Sequence, residues 1–341
     1  MKKIIGLTYD LKQDWTPDAG DPPDANAEHD SSATVDSITQ AFESAGHTVR
    51  KIGNIFNLLK TIDQLNVDIV FNIAEGRFGR NRESQVPVLL ETKRIPFVGS
   101  DGLALGITLD KVMAKRVFIA EGIPTPKFFE ARNCENLKKQ NRIGFPLIVK
   151  PSCEGTSKGL TENAKVHDFK GLKRQVELVT TQYKQPALVE EFIRGSEYTV
   201  AVLGNEHPQA MPVVQINIDG KKDLGDVFFT SDRVSLRKDT VEYICPAQIS
   251  KKLSSQMQEL AVRAFKALGC YDFARIDFRV DKKGKPFMLE VNPLPSLSQE
   301  DAFFFIAQAR GITYNDIVNE ILGFGLSRHG LTNGKYKEAK R

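Results

Sequence analysis

Two apolar periods alternate along the first hundred residues. Ile4 to Thr8 is a short apolar run, His47 to Ile52 a second and Val67 to Ile73 (VDIVFNI) a third, each of strand length. Between the first two, Ser32 to Ala45 places Val35, Ile38, Phe42 and Ala45 at helical spacing and stops at Gly46. Strand, helix, strand, helix, strand predicts an open parallel sheet with helices packed on it. In such sheets ligands collect beyond the carboxyl ends of the strands. Two loops meet that description, Glu28-His29-Asp30 and Asn72-Ile73-Ala74-Glu75-Gly76. The intervening segment, Asp10 to Asp30, is rich in Pro and Asp and too poor in apolar residues to pack much core.

Ile95 to Ser100 closes this unit, and Leu109-Asp110-Lys111 opens a helix that runs through Lys115, Phe118 and Ala120 to a break at Gly122 to Pro126. Phe145 to Pro151 reads as a strand that delivers Lys150 to the loop Ser152 to Gly159. Ala187 to Ile193 is another strand, meeting Arg194 to Val200, and Pro208 to Ile218 continues the sheet. Lys221 to Thr240 is polar and irregular apart from Val227-Phe228-Phe229, and reads as a mobile loop over the site. Ser250 to Leu268 is the clearest helix, with Leu253, Met257, Leu260, Ala264 and Phe265 on one stripe and Gly269 at its end. Arg275 to Val280 alternates in character, Asp281 to Gly284 is a turn, and Pro286 to Val291 is a strand returning from it. Gln299 to Ala309 and Tyr314 to Leu322 are the expected final helices. Gly330 to Arg341 is a lysine-rich tail expected to be disordered.

Composition narrows the function classes. The 341 residues, 41% hydrophobic and 26% charged, are those of a soluble globular protein of two or three domains. The formal charge of +4 is spread along the chain, so there is no case for nucleic acid, and no run of about 18 apolar residues exists to span a membrane. The start has too short an apolar run for a signal peptide, which makes the cytoplasm the expected location. Four cysteines (134, 153, 245, 270) and five histidines show no metal spacing, and GxSxG is absent.

The chemistry lies in the last hairpin. It brings Asp277 near Glu290 and Asn292, and the latter two share a parity and leave the same face of their strand. Two carboxylates and an amide oxygen form a hard, all-oxygen set of the kind magnesium takes when substrate phosphates complete its shell. An ordinary hairpin with solvated acids would carry the same pattern, and the rest of the chain decides between them.

Asp277…Glu290-Val291-Asn292-Pro293 resembles the metal-binding signature of ATP-grasp enzymes. Lys150-Pro151-Ser152-Cys153-Glu154-Gly155-Thr156-Ser157-Lys158-Gly159 resembles the phosphate loop of D-alanine–D-alanine ligases. The resemblance runs, with gaps, from the N-terminus to about residue 325. It implies an α/β ATP-grasp fold: an N-terminal substrate domain (1–103), a central subdomain (104–185), a C-terminal subdomain (186–325) and a polar tail (326–341). It implies ATP with Mg2+ or Mn2+ held by Asp277, Glu290 and Asn292. Lys111, Lys150, Glu154 and Gly155 would meet the phosphates. Glu190, with the backbone of Glu191, Phe192 and Ile193, would meet the base edge, and Glu197 the ribose. Arg275 would stabilise the acyl phosphate or oxyanion, with Thr156 and Ser157 of the loop taking part in catalysis. Glu28 matches the glutamate that binds the first amino acid's ammonium, a solvated loop acid being the alternative.

The implied reaction is peptide-bond formation through an acyl phosphate, on small amino-acid or peptide substrates, in a chain that could form a homodimer. Three departures bear on substrate. Asn72 to Gly76 replaces the family's His-Gly-rich loop, with Glu83 remaining as an acid nearby. The Lys-Tyr pair of the family's lid is absent, with Arg233, Arg237 and Lys238 offering cations. By register Asp301 replaces the serine that holds the acceptor carboxylate, unless Ser298 does that task. A ligase making another dipeptide or amide is the alternative among enzymes, and a non-catalytic nucleotide-binding relative the alternative outside them.

Overall fold

The computed structural model of the chain describes residues 2–231 and 240–332. Three sheets carry the fold. The first consists of β1 (Ile4–Tyr9), β2 (Thr48–Gly53), β3 (Ile69–Ile73) and β4 (Phe97–Val98), in the order β2-β1-β3-β4. Every pairing in it is parallel, as the strand–helix alternation predicts, with Leu7 opposite Phe71 at the centre. The Ser32–Ser44 helix begins on a Ser31 side chain that accepts from the Thr34 amide, and it buries Val35, Ile38 and Phe42 against this sheet.

The second sheet is antiparallel, in the order β5-β8-β6-β7, from β5 (Phe128–Ala131), β6 (Leu147–Pro151), β7 (Lys165–Val166) and β8 (Ala187–Glu191). The Phe169–Gln182 helix covers it with Leu172, Val176 and Val179, so this unit has its own core. The third sheet holds β9 (Gly195–Leu203), β10 (Gln209–Ala210), β11 (Val214–Ile218), β12 (Val241–Ile244), β13 (Phe273–Asp281) and β14 (Pro286–Asn292). Its order is β12-β11-β9-β13-β14, with β10 beside β9. Where β9 starts, Gly195 has φ +151° and a Cβ there would sit 1.9 Å from the Val280 carbonyl oxygen, so only glycine lets the two strands close.

The first and third sheets share one core. Phe42 packs edge-on to Phe71 at 5.0 Å, Phe71 stacks on Phe273 at 6.2 Å, and Phe273 meets Phe303 at 6.1 Å. The site therefore lies between a fused pair of domains and a central unit with a separate interior.

Several boundaries differ from the sequence expectations. The Ser250 helix is Lys251–Ala267 with Ser250 as its cap. The helix expected from Gln299 begins at Ala302. The last helix runs from Tyr314 to Arg328, past its expected end at Leu322, because its end is tied down: Arg328 donates to Asp272 (2.8 Å) and to the Phe97 and Gly99 carbonyls. Residues 10–30 add little apolar core but are ordered by other means. Lys12 N–H donates to the Asp30 carbonyl at 3.0 Å, and the Arg77 guanidinium lies 4.2 Å over the Trp15 ring. Of the segment 221–240, Phe228 is buried against Ile148 and Phe192, while residues 232–239, with Arg233, Arg237 and Lys238, lie outside the described residues. The same holds for 333–341 of the tail.

Candidate active site

Strands β13 and β14 pair so that Asp277 faces Glu290 and Arg275 faces Asn292. The expected cluster forms. The Asn292 amide donates to Asp277 Oδ2 at 2.9 Å. Arg275 grips the same carboxylate with two bonds, Nε to Oδ1 at 3.1 Å and Nη2 to Oδ2 at 2.9 Å. Glu290 pairs with Lys111 at 3.1 Å, and Lys111 also donates to the Glu154 carbonyl of the phosphate loop. Burial would raise the Glu290 carboxyl, but Lys111 and Lys150 outweigh it and hold it at about 2. All of these side chains line one cavity of about 1400 Å³. Since the Asn292 amide donates through Nδ2, its Oδ1 is left beside the two carboxylates, and this all-oxygen set would fit a magnesium ion.

Lys150, delivered by β6, reaches Glu190 of β8 at 2.6 Å. Glu190 is 2% exposed and also meets the fully buried Lys115 at 2.8 Å, while Lys115 donates to Thr125 at 2.7 Å. Glu190, expected at the base edge, thus spends its carboxylate on two lysines, and Lys115, buried behind the cavity wall, is a partner that sequence reasoning missed. Glu191, Phe192 and Ile193 follow at the cavity wall. Glu197, expected at the ribose, faces the cavity and pairs with Arg279, which also donates to the carbonyls of Gly195 (3.2 Å), Gly225 (3.1 Å) and Val227 (2.7 Å). Arg279 had no signal beyond its place in the alternating strand, yet it fastens the 225–227 loop to the start of β9.

The loop Ser152 to Gly159 is clasped by residues of the first-sheet unit. Arg82 Nη2 donates to both Glu28 oxygens at 2.7 and 2.8 Å and to Glu154 at 3.2 Å, and its Nη1 donates to the Cys153 carbonyl at 2.8 Å. Lys158 donates to Glu28 at 2.9 Å, and the Gly155 amide reaches Glu28 as well. A Cβ on Gly155 would stand 2.8 Å from Glu28 Oε1, so glycine allows this approach. Asp24 accepts from the Gly159 amide at 2.8 Å and from Tyr183 at 2.9 Å. Thr156 and Ser157 take φ of 45° and 57°, a left-handed turn costing on the order of 1–3 kcal/mol per residue, and they line the cavity.

At the opposite end, Asp301 stands at the N-terminal flank of the Ala302–Ala309 helix without a side-chain capping bond, and accepts from the Tyr243 hydroxyl at 3.1 Å. Ser298 accepts from the Glu300 amide at 3.2 Å. Both line the cavity, with the Ser298 hydroxyl engaged in a local turn.

Glu83 is 7% exposed, and burial pushes its carboxyl up to about 7, Arg82 opposing and Glu28 adding to the rise. A carboxyl raised in the folded state contributes its stability below about pH 4.5 and loses it as pH climbs through about 7. Glu83→Gln mimics the protonated form. It should leave thermal stability nearly unchanged at about pH 5 and raise it at about pH 8, by on the order of 1–3 kcal/mol. An equal offset from the parent protein across that range would contradict the assignment.

Residues 117–323 match the family model described as D-ala D-ala ligase C-terminus. The chain is 34% identical over 303 residues to the uncharacterized protein y4sG of Sinorhizobium fredii, covering 86% of this chain and 88% of that one. It is 32% identical over 308 residues to the D-alanine--D-alanine ligase of Pelotomaculum thermopropionicum, covering 87% and 92%. In fold it matches the crystal structure of the Bacillus anthracis D-alanine--D-alanine ligase complexed with ATP, with a TM-score of 0.74 at 22% identity over 96% of this chain and 99% of that one. No helix among the described residues is long and apolar enough to cross a membrane. The chain belongs to the D-alanine–D-alanine ligase-like family of ATP-grasp ligases.

Proposed function

We propose that this protein uses ATP to activate the carboxylate of an amino acid and then joins it to an amine. A carboxylate oxygen attacks the γ-phosphorus, the bond to the β–γ bridging oxygen breaks, and ADP leaves. The amine nitrogen then attacks the acyl carbon, phosphate departs with the C–O bond electrons, and the amine gives up a proton. The observation that carries this reading is the convergence of Asp277, Glu290 and Asn292 with Lys111, Lys150 and Arg275 on one cavity. Asp277, Glu290 and Asn292 would hold a magnesium ion, which when bound supplies charge neutralisation to the phosphates. Lys150 and Lys111 are pre-placed cations for the phosphate oxygens, oriented by Glu190 and Glu290. Arg275, aligned by its two bonds to Asp277, is placed to meet the charge that develops on the acyl group. No side-chain nucleophile is required. The test is ATP-dependent phosphate release by the full chain with magnesium and a panel of D- and L-amino acids. Release that no amino acid stimulates would refute it.

One observation favours an acceptor without a free carboxylate. The Asp301 carboxylate lines the acceptor end, held by Tyr243. At about 4 Å and an effective dielectric near 20, two such charges repel by on the order of 4 kcal/mol before screening. About half of that selects against a free amino acid by roughly tenfold or more. Amides, esters or amino acids carrying a second cation are then the better acceptors, and Asp301→Ser should shift preference toward free D-alanine. Efficient joining of two D-alanines by the unmodified protein would overturn this preference and leave Ser298 as the carboxylate contact.

A further inference from the structure

Arg279 follows Arg275 and Asp277 on the cavity face of β13 and stands opposite Glu197 of β9. It is 3% exposed, and its guanidinium is spent on four acceptors. Nη1 donates to Glu197 Oε1, and Nη2 donates to the carbonyls of Gly195, Gly225 and Val227. Among the described residues Nε has no partner and Glu197 Oε2 accepts no hydrogen bond, although Glu197 lines the cavity. The stretch that Arg279 holds runs from the third sheet to the central unit. Asp226 pairs with Lys165 of β7 and with Arg194 at 2.9 Å, and the Ser231 amide donates to the Leu160 carbonyl at 2.9 Å. Between them Phe228 packs edge-on to Phe192 at 5.7 Å, and both rings line the cavity. A buried guanidinium costs more to desolvate than an apolar side chain of similar size, so stability alone does not call for one here. What it does, and an apolar residue cannot, is tie an acid that faces the cavity to the backbone of the cavity wall.

We infer that Arg279 is a positioning residue for nucleotide recognition: it fixes Glu197 with Oε2 free for a sugar hydroxyl, and with the same guanidinium it holds residues 225–231 as a wall of the site. The inference rests on the ATP reading above. A hydroxyl bound to Oε2 favours the arrangement in which Arg279 is docked, and by linkage the docked wall favours the hydroxyl. Burial pushes the Glu197 carboxyl up, with Arg279 opposing, so the guanidinium also keeps the acid in its charged, better-accepting form. Lysine in this place separates the two tasks. An ammonium can pair with Glu197, but it lacks the planar fork that serves a carboxylate and three carbonyls from one centre.

The test uses the full chain with magnesium and no amino acid, so that nothing is present to accept the γ-phosphoryl group. ATP, 2′-deoxy-ATP and 3′-deoxy-ATP are titrated calorimetrically into the parent protein and into Arg279→Met, Arg279→Lys and Glu197→Gln. Amide hydrogen exchange over residues 225–231 is followed alongside by mass spectrometry. The parent should bind ATP roughly tenfold or more tighter than one of the deoxy analogues, the worth of a hydrogen bond to a charged group. Arg279→Met should shrink that ratio to within about threefold. It should also speed exchange at 225–231 by about tenfold, with the rest of β13 and β14 exchanging as in the parent. Arg279→Lys should keep most of the ratio and still exchange fast, a split that a general packing defect would not produce. Glu197→Gln should lose the ratio, and ATP should then slow exchange at 225–231 no more than its deoxy analogues do. A parent-level ratio in Arg279→Met overturns the inference, and so does parent-level exchange at 225–231 in Arg279→Lys. Should Arg279→Met not fold, Arg279→Lys and Glu197→Gln decide by the same readouts. A parent that binds no ATP refutes the ATP reading and this inference with it, whereas ATP binding without a hydroxyl preference sinks the role of Arg279 alone.

Discussion

Asp277→Asn and Glu290→Gln should each abolish magnesium-dependent ATP turnover, by at least about a hundredfold, which is roughly 2.7 kcal/mol of transition-state stabilisation. Both changes keep the shape of the side chain and remove one negative charge. In Asp277→Asn the loss is double, because the same carboxylate aligns Arg275 through two bonds and receives the Asn292 amide. An amide there would present a donor to Arg275 where an acceptor stood. Glu290→Gln removes the charge that holds Lys111 beside the phosphate loop. The two strands remain paired through their backbone and their apolar side, Ile276, Phe278, Met288 and Val291, so circular dichroism and thermal midpoint should stay close to those of the parent. Parent-level phosphate release by either variant would rule Asp277 and Glu290 out as the proposed magnesium ligands.

Glu190→Gln should cost stability rather than activity alone, by about 3–5 kcal/mol. Glu190 is the anion between two buried lysines, Lys115 and Lys150, and without it they face each other across a neutral amide. Burial already pulls the Lys115 ammonium down, with Glu190 opposing. In the variant that lysine can shed its proton, which sets the ceiling on the loss. Urea denaturation measures it, and Lys115→Met gives the check. Combined with Glu190→Gln it should recover part of the deficit, since one unpaired cation is gone. A Glu190→Gln midpoint equal to that of the parent would mean the three groups do not act as one unit.

What the sequence made legible has a common cause. The oxygen cluster needed only a hairpin: once Asp281 to Gly284 is read as a turn, strand parity places Asp277 opposite Glu290 and next to Asn292. The parallel first sheet followed from the strand–helix alternation, and the Lys251–Ala267 helix from its apolar stripe. The Glu28 network was not legible, because its partners are far apart along the chain: Arg82 lies 54 positions on and Lys158 lies 130. A lysine in a phosphate loop suggests a phosphate contact, and only the folded chain turns Lys158 toward a carboxylate of the first domain. Arg82 and Lys115 were hidden for the same reason, since a charged residue read singly looks like solvated surface. The end of the last helix was missed because Arg328 is held by Asp272 and two carbonyls, none of which a local period reports.

The aromatic chain Phe42–Phe71–Phe273–Phe303 has a bearing on how this protein could be recombined with its relatives. A chimera that swaps residues 1–103 cuts between Phe71 and Phe273 and puts two halves of one interior, tuned in different lineages, face to face. An exchange of the central unit meets a different obstacle. Its interior, from Ala131 to Val189, travels with it, and beside one small apolar joint, Ile148 with Phe192 and Phe228, the joints to be matched are polar: Glu28 with Gly155 and Lys158, Asp24 with Gly159 and Tyr183, and Arg82 with Glu154. Transplanting the central cassette therefore asks for a handful of charged partners to be carried along, whereas transplanting the first domain asks for a core to be redesigned.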